Sequence, residues 1–297
     1  MSTVATTASP QSDASGPAIP VVPEARRKRS VVVYLCYGWL GLIILGAIFA
    51  SVLPIADYDE AVGSSRLVPG LGSLDLLLGT DSYGRSMLSR IVYGAQVSLV
   101  VGTAAGLLGC VVGTLLGTIG GYFRGRIDWF VTLITDSMLA FPPLIMLLTL
   151  TSMLSPSVPT ITVGLAIVTV PTFTRLTRAT TISWSSREFV RAAKNMGAGP
   201  FRILTREILP NVLPTLGAYF PIVVAAMIVA EGSLSFLGLG VPPPQPSWGG
   251  MIDDAKNSLA TNPHLVFIPA AVIFLTVFSL NQVGDHLRHR FDRTMQD

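Results

Sequence analysis

Few residues in this chain are able to do chemistry, and their spacing excludes most reactions. The three lysines, Lys28, Lys194 and Lys256, follow Arg27, Ala193 and Ala255. A phosphate-wrapping loop needs glycine before its lysine so that the backbone can close on the anion, so no ATP site is expected in this chain. The three histidines, His264, His286 and His289, stand at a loop end and in a basic tail, and no Gly-x-Ser-x-Gly turn presents a nucleophile. Cys36 and Cys110 fall in separate apolar runs, with neither a disulfide framework nor a metal-ligand spacing, and read as packing residues. Neither catalysis nor a metal centre is expected.

What remains is mechanical. Glu188 to Asn211 is the longest charged segment of an otherwise apolar chain. Glu188 to Met196 reads as a short amphipathic helix with Phe189, Ala193 and Met196 on one face, and Glu188, Arg191 and Lys194 on the other flanks. Gly197-Ala198-Gly199 breaks it, Pro200 starts a second helix and Pro210 helps to end that one. The expected product is two short helices meeting at a bend, set between membrane spans as a docking surface. A basic loop held by lipid phosphates is the plainer alternative.

Two acids lie inside apolar runs, where a lone carboxylate is costly and a candidate for function. Asp136 is expected about two turns from the cytoplasmic end of its span and Glu231 near the outer end of another, both shallow. They stand as candidate gate or pathway residues, together with the hinge-like pair Pro142-Pro143; the preferred reading makes both acids interhelical hydrogen-bond partners or hydrated groups.

These residues must be positioned by membrane helices. Of 297 residues, 50% are hydrophobic and 12% charged, with a mean hydropathy of +0.60. That is too apolar for a soluble domain of this size. Apolar runs recur at the roughly 20 residues needed to span about 30 Å of hydrocarbon. The formal net charge is +3, but the basic residues flank the spans instead of forming one patch, so no nucleic-acid partner is expected.

In order, residues 1–30 read as a disordered cytoplasmic tail, 31–53 as the first membrane helix and 54–90 as an extracytoplasmic loop. Residues 91–297 form a core with five further spans and a coupling loop over 187–211. The second span, Ile91 to Phe123, carries Gly109, Gly113, Gly117 and Gly121 at four-residue intervals, a ribbon that lets another helix approach closely. The third runs from Trp129 to about Leu154. The fourth begins near Thr160 and is interrupted by Pro171, with Arg175 and Arg178 reaching the inner interface. The fifth runs from Val212 to about Leu237 and the sixth from Leu265 to Val283. Sixteen Lys and Arg fall in the proposed inner segments and four in the outer ones, Arg66, Arg85, Arg90 and Lys256. That bias puts both termini in the cytoplasm.

Ala192-Ala193, three residues, Gly197, then Ile208-Leu209-Pro210 resembles the EAA loop of the membrane subunits of ATP-binding-cassette importers. The chain departs from that pattern at Arg191, where the motif's glutamate is usual, and at Glu207, where isoleucine is usual; Glu188, one turn earlier, is the available substitute. Three further stretches, Leu78 to Leu99, Ala230 to Gly249 and Asn281 to Arg288, are similar to the C-type permeases of the dipeptide/oligopeptide/nickel importer group. The resemblance covers almost everything from Leu78 onward.

It implies an all-α type I importer permease with six transmembrane helices, multi-pass in a bacterial cytoplasmic membrane. It also implies a paralogous permease partner, to which the glycine ribbon offers a contact, and two ATP-binding subunits that hold ATP and Mg and seat on the EAA loop. An extracytoplasmic peptide-binding protein completes the set. The cargo implied is a dipeptide or oligopeptide, with a nickel chelate as the alternative within the group. An ion-coupled secondary transporter would want inverted repeats and mid-membrane ionisable groups, and a membrane scaffold would leave the bent charged segment unexplained.

Overall fold

The computed structural model describes residues 31–294; the tail expected over residues 1–30 lies outside them. The described chain is helical: α1 Val31–Ile48, α2 Met87–Phe123, α3 Gly125–Ala140, α4 Pro143–Met153, α5 Val158–Ser185, α6 Glu188–Asn195, α7 Pro200–Phe236, α8 Trp248–Ala255 and α9 His264–Thr294. Five of these are long and apolar enough to cross a membrane, and the bent pair α3–α4 makes six if taken as one span.

Several boundaries differ from the sequence expectation for identifiable reasons. The first helix stops at Ile48, and the chain from 49 to 53 turns instead of completing the expected span. The third span is not straight. Its two halves meet at 84°, with Phe141 and Pro142 both extended in ψ, as expected where proline follows and pushes the preceding residue out of the helical region. Pro171, by contrast, sits inside a continuous α5. Pro210 does not end the second coupling helix. Ile203–Ile208 forms a π turn, whose Leu209 N–H reaches back to Leu204 O, and the helix continues from Pro200 to Phe236. A proline lacks the N–H and crowds the carbonyl four residues back, and the wider turn relieves that crowding.

The core forms where α2, α5 and α7 meet. Val101, Ala105, Ile161, Leu165, Phe173, Val212 and Leu216 are all buried there. The glycine ribbon of α2 makes the approach possible, and its neighbour is this chain's own α5, not a second permease as expected. A Cβ added at Gly113 would lie 2.6 Å from Phe173 Cβ and 2.8 Å from Val170 O; at Gly117, 2.7 Å from Thr177 Cβ; at Gly121, 2.8 Å from Arg178 O. Gly109 meets Thr169 in the same way. Without side chains on that stripe the two backbones come into contact, where van der Waals packing is the main attraction available in lipid. A second cluster, with Met87, Ile91, Trp248, Met251 and Leu265, closes the end that carries α8.

Candidate coupling surface

At the opposite end, α6 is closed by a glycine. Gly197 has φ +83°, its N–H bonds to Lys194 O at 3.0 Å, and the Ala198 N–H bonds to Ala193 O at 3.0 Å. These two bonds make a Schellman motif, which satisfies carbonyls the helix end would otherwise leave bare and turns the chain sharply into α7. The bend is therefore fixed by hydrogen bonds.

The inward face of this elbow is Val190 and Ala193 on α6 with Ile203 and Ile208 on α7, all buried. The face expected from the sequence, Phe189 with Ala193 and Met196, is split: Ala193 turns in, whereas Met196 is 81% exposed. An eight-residue helix buries one narrow stripe, and here it is the i, i+3 pair of Val190 and Ala193. Phe189 leans on Trp184 instead, ring centroids 6.1 Å apart. Phe189, Met196 and Phe201, the last 79% exposed, remain an apolar outer surface. Glu188, Arg191 and Ala192 are exposed beside it, and among the described residues neither Glu188 nor Arg191 joins an ion pair. Ile208, Leu209 and Pro210 lie on the α7 side, Ile208 buried and Pro210 exposed. Lys194 Nζ sits 4.9 Å from the Tyr122 ring centroid, tying the elbow to the end of α2.

Asp136 makes the interhelical hydrogen bond that the preferred reading expects. It accepts a hydrogen bond from Arg175 Nη2 at 2.7 Å, and two turns earlier Asp128 pairs with Arg178 through both oxygens. Both pairs link α3 to α5, so Arg175 and Arg178 are partners of those acids. Asp136 lies eleven residues into α3, about 16 Å from its start at 1.5 Å per residue. Pro142 and Pro143 form the break between α3 and α4, just beyond it.

Glu231 lies five residues before the end of α7 and is enclosed by protein. It is 1% exposed because the segment after α7 folds back over it. Its Oε1 accepts from Ser235 Oγ at 2.7 Å and its Oε2 from Ser98 Oγ at 3.1 Å. Around it the α8 end holds a network that sequence reasoning missed. Asp81 accepts from the amides of Tyr83 and Arg85 and from Arg85 Nε at 2.7 Å. Arg90, 4% exposed, spans from Asp81 at 3.4 Å to Asp254 at 3.3 Å. The available signal was Arg90 itself, a charge beside a charge-free span. Burial pushes the Asp254 carboxyl up, against the opposing pull of Arg90 and Arg85. A cavity of about 320 Å³ opens alongside, lined by Arg85, Arg90, Asp253, Asp254 and the proline-rich turn before α8.

Residues 113–297 match the family described as binding-protein-dependent transport system inner membrane component. Over 251 residues the chain is 35% identical to the glutathione transport system permease protein GsiD of Pectobacterium atrosepticum, covering 84% of this chain and 83% of that protein. The protein of the same name from Escherichia coli O6:K15:H31 is 36% identical, with 84% and 82% covered. Among solved structures, an inward-facing conformation of the MetNI methionine ABC transporter aligns with TM-score 0.59 at 18% identity, covering 69% of this chain and 97% of that one. At that identity the likeness speaks for the fold, which is that of an ABC importer permease.

Proposed function

This chain belongs to the family of binding-protein-dependent transport system inner membrane components, and from that premise we propose that it is one of two permease subunits of an ATP-driven importer of small peptides. Two ATPase subunits carry the ATP and Mg, one of them seating on the elbow formed by α6 and the start of α7 and the other on the partner permease, and an extracytoplasmic binding protein delivers the cargo to the α8 end. The α6 end and both termini face the cytoplasm, in keeping with the bias of Lys and Arg toward that side. The glutathione permease names of the relatives favour a peptide over a nickel chelate.

The observation that carries the reading is the elbow. A bend held by two backbone hydrogen bonds at Gly197 presents Phe189, Met196 and Phe201 outward and runs without a break into the membrane helix α7. ATP binding closes the ATPases, the elbow moves with them, and the spans alternate between inward and outward access.

The test is reconstitution. In proteoliposomes holding both permeases and both ATPases, peptide-loaded binding protein should stimulate ATP hydrolysis and drive peptide uptake. The chain alone should carry nothing; uptake by it without an ATPase would refute the reading.

A further inference from the structure

The two ion pairs between α3 and α5 are built differently. Asp128 and Arg178 meet through two hydrogen bonds, one from Nε and one from Nη2. Asp136 and Arg175 share a single bond, Nη2 to Oδ1, and their side chains are 52% and 59% exposed. A guanidinium offers five N–H donors and a carboxylate about four acceptor positions, so most of the capacity of both groups faces outward unused.

Depth makes that exposure informative. Asp136 lies eleven residues into α3 and Arg175 ten residues before the end of α5. At 1.5 Å per residue both are about 15 Å from the ends of their helices on the α6 side. A half-open ion pair within a span does not sit against lipid without a cost of several kcal/mol, so in an assembled transporter that face meets protein or a polar passage. Nearby on α3 and at its end, Phe130, Leu133, Ile134 and Phe141 are exposed and apolar, and α4 turns away by 84° beyond Asp136. A mostly apolar wall with a few convergent polar groups is the common form of a small-molecule site.

We propose that Asp136 and Arg175 form a station for a zwitterionic solute in transit, Arg175 taking its carboxylate and Asp136 its ammonium group. This rests on the reading of the chain as a peptide permease subunit. The chemistry is an exchange of partners. A solute that carries both charges replaces each group's partner with an equivalent one, so no charge is stranded, and the guanidinium plane can grip a carboxylate through two bonds. A solute with one charge or none would break the pair and leave at least one member uncompensated, which is costly in this setting. The station therefore favours peptides with both termini free.

The experiment uses the assembled transporter in proteoliposomes with its binding protein and L-alanyl-L-alanine as the probe, and reads peptide uptake per ATP hydrolysed. Arg175→Gln and Asp136→Asn should each lower that ratio at least tenfold. A second measurement does not depend on those variants. In an assembly whose only cysteine is introduced by Ala140→Cys, one turn along α3, a charged thiol reagent should label the site, and the dipeptide should slow labelling at least fivefold where its N-acetylated, C-amidated form does not. A ratio within twofold of the unaltered protein, whether uptake and hydrolysis are both normal or fall together, overturns the station. So does labelling that both solutes affect equally. If no peptide-loaded binding protein stimulates hydrolysis in the unaltered assembly, the importer reading itself fails and takes the station with it.

Discussion

Ser98 on α2 donates its hydroxyl to Glu231 on α7, at 3.1 Å, while the same oxygen accepts the Trp248 amide that opens α8, at 3.3 Å. One hydroxyl thus joins three helices. Glu231→Ala would leave the Ser98 and Ser235 donors without an acceptor and open a void in a close-packed site. The expected cost is about 2 to 5 kcal/mol. Glu231→Gln keeps the volume and one acceptor and should cost clearly less. Thermal midpoints in detergent, with deuterium exchange across 248–255, would separate them; equal midpoints for the two variants would argue that the network contributes no stability.

The α2–α5 contact makes a sharper prediction. A methyl at Gly113 lies within 2.6 Å of Phe173 Cβ, so Gly113→Ala must push two backbones apart, at about 1 to 3 kcal/mol. At Gly217 an added Cβ meets nothing within 4 Å, and Gly217→Ala should leave the midpoint unchanged or raise it slightly. A midpoint for Gly113→Ala equal to that of Gly217→Ala would show that the ribbon is not a tight seam.

For the elbow, backbone and not space is decisive. An added Cβ at Gly197 would touch nothing within 4 Å, but φ is +83°, a region that disfavours β-branched residues and tolerates asparagine. Gly197→Val should insert normally yet lose most peptide uptake per ATP hydrolysed, whereas Gly197→Asn should keep at least half. Equal uptake by both would show that the turn's geometry does not matter to coupling.

Asp254 gives a pH signature. Its carboxyl is held above the ordinary aspartate value of 3.8, chiefly by burial. The folded protein therefore binds that proton more tightly than the unfolded chain. The stability this adds is complete below 3.8 and is lost as pH rises through the raised value. Asp254→Asn should match or exceed the unaltered protein in thermal midpoint at pH 7, and any margin should shrink as the solution is acidified toward pH 4. The opposite order would mean that Arg90, not burial, governs the group.

Much of the architecture was legible in the sequence because lipid imposes simple rules. Charge-free runs gave the spans, four glycines in register gave a close helix contact, and Gly197 gave the bend. What was not legible depends on where elements go after they leave the local pattern. The ribbon's register says that some helix approaches, but not that Thr169, Phe173 and Thr177 of the same chain supply it. Glu231 is near a helix end in sequence, so it reads as shallow; only the fold-back of 237–248 buries it. Asp136 reads as an interhelical partner, but nothing local names Arg175, 39 residues away, as the group it meets. Of the prolines, the hinge-like pair Pro142-Pro143 does mark a break. Pro171 and Pro210 signal breaks, yet a long helix absorbs the first and a π turn the second, while Pro142-Pro143 cuts through a span that hydropathy reads as continuous.

The helix that begins at Pro200 does not stop until Phe236, which at 1.5 Å per residue makes it about 55 Å long. Phe201 stands at one tip and Glu231 close to the other. A rod of that length behaves as a seesaw: tilted by about 10° around its middle, each tip swings some 5 Å in opposite senses, by the geometry of a straight helix. On the proposed function, a push on the elbow would therefore also be felt at Ser98 and Trp248, beside the far tip.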